Sequence, residues 1–344
     1  MSEISVLMPA YNSANYIAEA INSILEQTFT DFELIIINDG STDNTHQVIT
    51  SFTDARIKYY QNDGNKGLTF VRNRLLSLAT CNYIAFIDSD DIAHKNRLEI
   101  EYQLLKSNNN ISLVSSSVVS LDEQGNYNNL GWNFDLNTSA LKTNLLFLNP
   151  IVTSTVMFKK EFLPEQKFRD DYPPCEDYDL WVRMLLNTKG IVLPNFLATY
   201  RLYFNSVSKR KADDAKNNRN KVIVDQLEYY FPNNYTQEES QSHLSLVEFS
   251  LKNKLEDLPD LKNWIIKLIA LNQQYKHFDE QILKQVLYER VLKKFLRLQN
   301  YNYTVFQTLN QLRKILQPKL TMELRKKELA IFMFSVAKKK FIQL

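Results

Sequence analysis

Two cysteines and four histidines are all that this 344-residue sequence offers to soft-metal and redox chemistry. Cys81 and Cys175 stand alone, without a C-x-x-C pair, so a disulfide framework is excluded and a reducing compartment is expected. His46, His94, His243 and His277 fall at no metal-ligand spacing, which argues against a zinc site. Glycine is scarce, six residues in all, and no G-x-x-x-x-G-K-S/T run exists, so a P-loop is excluded. No window approaches the roughly 18 uninterrupted apolar residues of a spanning helix. A basic start followed by an apolar segment is also missing, so no signal peptide is expected and the expected location is the cytoplasm.

What is present can build a sizeable core: 44% of the residues are hydrophobic and 12% aromatic. The net charge of +2 hides an asymmetry. Residues 1–210 hold 18 basic and 24 acidic side chains, net −6, whereas residues 211–344 hold 23 and 15, net +8. The pattern changes at the same place. Before it, apolar runs at 4–10, 32–38, 56–61, 83–87 and 111–121 alternate with helical patterns at 14–28, 42–52 and 68–79. Such alternation implies βαβ units and an α/β fold built on a doubly wound sheet. Residues 154–158 and 191–203 read as extended, and 178–187 as helical. After residue 210, proline and glycine thin out, and helical patterns follow at 217–230, 238–254, 261–274, 278–298, 303–316 and 322–342. The expected organisation is a domain over 1–210 and a basic, all-helical domain over 211–344.

The segment Tyr83-Ile84-Ala85-Phe86-Ile87-Asp88-Ser89-Asp90-Asp91 is the most informative. Its unbroken apolar run reads as a buried strand of a parallel sheet. The three acids then stand at the strand's carboxyl end, where open α/β sheets bind ligands. Carboxylates that close repel one another unless a cation intervenes, and Mg²⁺ or Mn²⁺ suits oxygen ligands and phosphates. A polar turn, with Asp91 capping the next helix, is the plain alternative.

Four further motifs accompany it. Pro9-Ala10-Tyr11-Asn12 ends the first strand and offers a ring on which a nucleobase can stack, or simply a turn with a half-buried Tyr. Asn38-Asp39-Gly40-Ser41-Thr42-Asp43 ends the second, with Gly40 for a tight turn, Ser41 or Thr42 as a helix cap, and Asp39 free to accept from a base or ribose. Asn65-Lys66-Gly67-Leu68 opens a helix carrying Arg72, Asn73 and Arg74, whose charge would suit a diphosphate or a solvated face. Glu176-Asp177-Tyr178-Asp179-Leu180-Trp181 opens another after Pro173-Pro174. Acids suit a helix start on dipole grounds alone, but a carboxylate held rigidly there also suits a general base.

In this order and at these separations, the five motifs resemble those of family-2 glycosyltransferases of the GT-A fold, across residues 1 to about 208. The resemblance implies a GT-A, Rossmann-like mixed sheet flanked by helices. It also implies an inverting, metal-dependent enzyme that moves a hexose or N-acetylhexosamine from a UDP-sugar to a glycan hydroxyl. Bacterial surface polysaccharide or lipooligosaccharide synthesis is the implied setting. Carried over by position, Pro9, Ala10, Tyr11 and Asp39 hold uracil and ribose. Lys66, Gly67 and Arg72 lie near the nucleotide, and Asp88, with Ser89, near ribose and sugar. Asp90 binds Mn²⁺ or Mg²⁺, with Asp88 as the second candidate ligand. Asp177 is the base, and Glu176 helps to place it or the acceptor. The family often closes with Tyr-Arg-x-His-x-x-Ser-x-Ser, whose His reaches the metal or pyrophosphate; here Tyr203 takes that position.

The helical part lies outside the resemblance. Its last stretch, 326–344, mixes Leu329, Ile331, Phe332, Phe334, Phe341 and Ile342 with lysines, as an interfacial helix on an anionic membrane would, or as a core helix with a basic face would. The expected partners are a UDP-sugar and a glycan or glycolipid acceptor, with self-association left open. Nucleic acid is not expected, because the basic residues are scattered and carry no recognised motif. A non-catalytic glycan-binding scaffold is the alternative from another class. A nucleotidyltransferase ranks lower, since the first turn has no glycine.

Overall fold

A computed structural model of the chain describes residues 2–122, 124–202, 212–247, 258–298 and 303–341. The chain divides into two compact units: residues 1–141 with 149–222, and residues 142–148 with 223–344.

The first unit is built on a nine-stranded mixed sheet. Its strands are β1 (Ile4–Ala10), β2 (Phe32–Asn38), β3 (Ile57–Gln61), β4 (Tyr83–Phe86), β5 (Ile92–Ala93), β6 (Ile111–Leu121), β7 (Tyr127–Trp132), β8 (Met157–Lys159) and β9 (Lys189–Arg201). They lie in the order β3-β2-β1-β4-β8-β6-β9-β5, with β7 on β6. β3, β2, β1 and β4 run parallel, so their carboxyl ends share one edge. β8 runs antiparallel to both β4 and β6, which ends the doubly wound half. Burial explains the choice of residues: every position of β1 and β2 is buried, as an interior parallel strand requires. The one acid inside them, Glu33, accepts from Ser5, from the Thr80 N–H and hydroxyl, and from Lys58. Burial opposes its charge, but these partners win and hold its carboxyl at about 2.

The helices of this unit are α1 (Ile17–Leu25), α2 (Thr45–Thr50), α3 (Leu68–Leu78), α4 (Arg97–Ser107), α5 (Thr138–Asn144, whose last three residues belong to the second unit) and α6 (Glu176–Leu185). α1 starts later than residue 14 because Ser13 belongs to a turn tied to Thr45. α2 starts later than residue 42 because Thr42 donates instead to Asn12. Neither Ser41 nor Thr42 caps it; the Asp43 carboxylate accepts from the Thr45 N–H at 3.0 Å. Residues 154–158 are not one strand. Thr155 folds back, its N–H and hydroxyl both donating to the Val152 carbonyl, and makes a 3₁₀ turn at Thr153–Thr155 before β8. α4 was not expected at all. Its buried face includes Leu98, Tyr102 and Leu105 but also Arg97 and Glu101, whose charges disguise the helical period. Arg97 donates to the Phe86 and Val156 carbonyls as well, so it props the strand end that carries the acids.

In the second unit the described helices span Ala212–Tyr230 (from its twelfth residue), Gln237–Ser245, Leu258–Tyr275, Glu280–Phe295, Tyr303–Leu316 and Met322–Phe341. Residues 248–254 of the expected 238–254 helix lie outside the described residues. Thr236 and Glu239 form a reciprocal cap on Gln237–Ser245, and Asp279 caps Glu280–Phe295. Segment 142–148 packs into this unit. His243 donates from Nε2 to the Leu146 carbonyl at 2.9 Å while its Nδ1 accepts from Trp264, so one neutral tautomer satisfies both. Burial pushes this imidazole down to about 4. Phe147 stacks on its ring with centroids 4.8 Å apart. Gln226 holds the Leu145 carbonyl. Among the described residues no helix is long and apolar enough to cross a membrane.

Candidate active site

The turns after β1, β2 and β4 meet at the carboxyl edge of the sheet. Asn12, at φ 49°, accepts from the Thr42 N–H at 2.8 Å, and its own N–H donates to Ser41 at 2.9 Å. Ser13 reaches the third turn, its hydroxyl 2.8 Å from that of Ser89. Gly40, at φ 65°, is required because a Cβ there would sit 2.5 Å from Gly64 Cα. Pro9 and Ala10 are buried in β1, while Tyr11 is 45% exposed and presents its ring.

Asp39 is only 3% exposed. Its carboxylate accepts from Asn62 at 2.6 Å, from the Lys66 N–H at 2.9 Å and from the Gly67 N–H at 2.9 Å. It thus clips the turn before α3, where Gly67 adopts φ 91°. The Lys66 ammonium is exposed and pairs with Asp63 at 3.1 Å.

Arg72 is buried between two acids. It donates from Nη1 to Glu176 at 2.8 Å and from Nη2 to Asp88 at 3.4 Å. Asp88 is half-buried, and its N–H donates to the Ser154 hydroxyl at 3.1 Å. Asp90 is also half-buried, with its carbonyl accepting from Arg201 Nε at 3.1 Å. Asp91 does not cap a helix: β5 follows it, and its buried carboxylate accepts from the Arg201 N–H at 3.0 Å. Arg201 itself lies over the Tyr16 ring and pairs with Glu19 at 2.8 Å.

α6 brings the second set of acids. Glu176 is 2% exposed, with Oε2 unpartnered among the described residues. Asp177 is half-buried and accepts from the Thr153 hydroxyl at 2.9 Å and the Tyr178 N–H at 2.6 Å. Burial raises the carboxyl pKa of both, and Arg72 pulls both back. Asp179 faces away, bound by Arg169 and by Arg183, the latter at 2.7 Å. Trp181 is fully buried against Phe158 and Phe168, which anchors the helix. Burial, with the charges of Asp177 and Glu176, pushes the Cys175 thiol up to about 12, so it is no nucleophile at neutral pH.

Thr153, Ser154, Asn62 and Arg201 were missed as site residues. Each acts by holding a motif residue rather than by carrying chemistry, and only the Tyr200-Arg201 pair had a signal in the sequence. Tyr203 lies outside the described residues.

The end of β4 fits a divalent cation. Among the described residues no three His, Cys, Asp or Glu side chains group as a metal cage. Asp88 and Asp90 offer one or two carboxylates, the arrangement Mg²⁺ uses when substrate phosphates and water complete its shell. Burial and the charges of Asp90 and Asp88 drive the Asp91 carboxyl well above its usual range, and its Oδ2 finds no hydrogen-bond partner among the described residues. The mutual repulsion of these closely set acids is what a cation would relieve.

The mixed sheet, with acids at its carboxyl edge and flanking helices, is that of the GT-A fold. Residues 5–165 match the family model described as Glycosyl transferase family 2. An uncharacterized glycosyltransferase of Haemophilus influenzae is 30% identical over 299 residues, covering 83% of this chain and 84% of that protein. The Escherichia coli UDP-Glc:alpha-D-GlcNAc-diphosphoundecaprenol beta-1,3-glucosyltransferase WfgD is 33% identical over 215 residues, covering 62% of this chain and 82% of its own. The O-antigen biosynthesis glycosyltransferase WbnJ of Escherichia coli is 32% identical over 213 residues, 60% of this chain and 82% of its own. In fold, the crystal structure of S. aureus TarS 1-349 in complex with UDP-GlcNAc superposes with a TM-score of 0.53 at 20% identity, covering 92% of this chain and 91% of that one. The chain belongs to glycosyl transferase family 2 and is a glycosyltransferase, with relatives in bacterial glycan and O-antigen synthesis.

Proposed function

We propose that the chain transfers a hexose or N-acetylhexosamine from a UDP-sugar to a hydroxyl of a glycan or glycolipid acceptor, with inversion at the anomeric carbon. The observation that carries this reading is the Asp177 carboxylate. Thr153 and the start of α6 hold it in place, and Arg72, which also touches Asp88, moderates its raised basicity. Asp177 takes the acceptor hydroxyl proton as that oxygen forms its bond to the anomeric carbon, and the bond from that carbon to UDP breaks. Tyr11 stacks the uracil, and Asp39, with Pro9, Ala10, Lys66 and Gly67, shapes the nucleotide cleft. Asp88 and Ser89 lie toward ribose and sugar. Asp90, with Asp88, would hold Mg²⁺ or Mn²⁺, which would supply positive charge for the diphosphate leaving group. The UDP-sugar donor is supported by the names of WfgD and of the TarS complex.

A diphosphoundecaprenol-linked acceptor, as in the name of WfgD, would sit at a membrane. The basic helical unit then makes peripheral contact with an anionic surface on the cytoplasmic side and helps to receive the acceptor.

A positioned base is worth on the order of 10²–10⁴ in rate. Asp177→Asn is therefore expected to lose transfer by that factor while UDP affinity, measured by calorimetry, stays near wild type. Wild-type turnover in this variant would remove the base assignment. A thermal-shift panel of UDP-sugars with Mn²⁺ and Mg²⁺ tests the donor and the metal. Stabilisation is expected only when nucleotide and metal are both present, and Asp90→Ala should abolish the metal's share.

A further inference from the structure

We propose that Arg72 is a positioning residue, a buried guanidinium that ties the donor end of β4 to the base-bearing start of α6, and not a ligand of the diphosphate. This rests on the transferase reading above and assigns one of its charges a different task.

The geometry leaves Arg72 little freedom to do otherwise. Its side chain is 5% exposed. The guanidinium fork is split between two acids, Nη1 on Glu176 at 2.8 Å and Nη2 on Asp88 at 3.4 Å, rather than set on one as a bidentate pair. Its carbon lies 5.6 Å from the centroid of the Phe168 ring. That ring is placed by the next residue: Asn73 donates to the Phe168 carbonyl at 2.8 Å and accepts from its N–H at 3.0 Å. Phe168 in turn stands edge-on to Phe86 of β4 and to Trp181 of α6. Arg72-Asn73 therefore grips the same two elements twice, once by charge and once through an aromatic ring.

The charge pattern points the same way. Glu176 is buried with one oxygen unpartnered, so it needs a cation to stay ionised. Arg72 supplies it, and the same charge acts on Asp177, the next residue. Asp88 at the end of β4 also acts on Asp177 across the fold, Glu176 adjoins it in α6, and Arg219 acts on the neighbouring Cys175; Cys175 and Tyr200 nearby are neutral at physiological pH. Without Arg72, only the Thr153 and Tyr178 hydrogen bonds named above would oppose the upward push of burial and Asp88 on the base. A diphosphate arriving at Arg72 would bring its negative charge against two carboxylates already in contact.

The test is a melting cycle with a UDP titration and a pH profile. Arg72→Met is expected to lower Tm by roughly 10 °C, because it leaves a buried carboxylate unpaired. Adding Glu176→Gln should restore most of that loss. UDP affinity, with Mn²⁺ present, should change by less than about twofold in Arg72→Met and Arg72→Lys. The acid limb of kcat/KM should move up by about one pH unit in Arg72→Met, and return in Arg72→Lys, which keeps the charge. If Arg72→Met does not fold alone, the double variant and Arg72→Lys give the same comparisons. Additive melting shifts together with UDP binding weakened about tenfold or more would overturn the proposal in favour of a diphosphate ligand. Failure of UDP to bind the wild-type chain would instead count against the donor reading, and the melting cycle would still decide the bridge.

Discussion

Single side chains in this fold do one of two jobs, and the sequence separates them poorly. Asp39 and Asp88 both end parallel strands, yet Asp39 spends its oxygens on the Lys66-Gly67 turn while Asp88 stays half-open. Nothing in the spacing tells these apart, because the partners are backbone N–H groups 27 and 28 residues away. Arg72 was legible as a cation but not by its partner Glu176, 104 residues along the chain. Glu33 shows the same limit: it reads as a lone acid in an apolar strand, and its meaning comes from Lys58, Ser5 and Thr80. Its carboxyl is held at about 2, below the ordinary 4.5. The stabilisation is therefore full above about pH 4.5 and is lost as pH falls toward 2. Discounted for solvent around Lys58, it amounts to about 2–3 kcal/mol at neutral pH. Urea unfolding at a series of pH values should show Glu33→Gln destabilised by that amount at pH 7 and converging with wild type in strong acid.

At the level of elements, strands were easier to read than helices. Interior parallel strands are apolar throughout, so β1, β2 and β4 stand out. Helix α4 escaped because its buried face carries a charged pair, and the starts of α1 and α2 moved because side-chain bonds between turns displaced them. The helix Met322–Phe341 was legible in outline, and its surface has a purpose to test. Leu329 is 56% exposed, with Met333 and Phe334 equally open and Arg325 and Lys326 exposed nearby. An apolar surface flanked by cations suits an anionic bilayer. Liposome flotation should show the whole chain rising with anionic vesicles, weakly with neutral ones, and much less after removal of residues 321–344. Equal flotation with and without that helix would reject it as the contact.

Across the whole molecule, the change from alternating strands to unbroken helices was visible in the sequence. The return of residues 142–148 was not. This segment begins in the last turn of α5 and runs on past it, and its apolar residues read as ordinary core. Its true neighbours, Gln226, His243 and Arg290, come about 80 to 145 residues later. A chain ending at residue 210 would leave Leu145, Leu146 and Phe147 without those neighbours, each worth about 1.5–3 kcal/mol when buried. It should therefore elute as aggregate in size-exclusion chromatography, and Leu146→Ser with Phe147→Ser should return it to a single small species. The same seven residues constrain inheritance. The match to the family model ends at residue 165, before the helical unit begins, as if that unit were a detachable cassette. A crossover anywhere after the sheet would deliver new helices to an old segment 142–148, and the hybrid would carry a mismatched plug. Viable exchange of the helical unit between relatives has to bring that short internal stretch along, so the two should change together when lineages are compared.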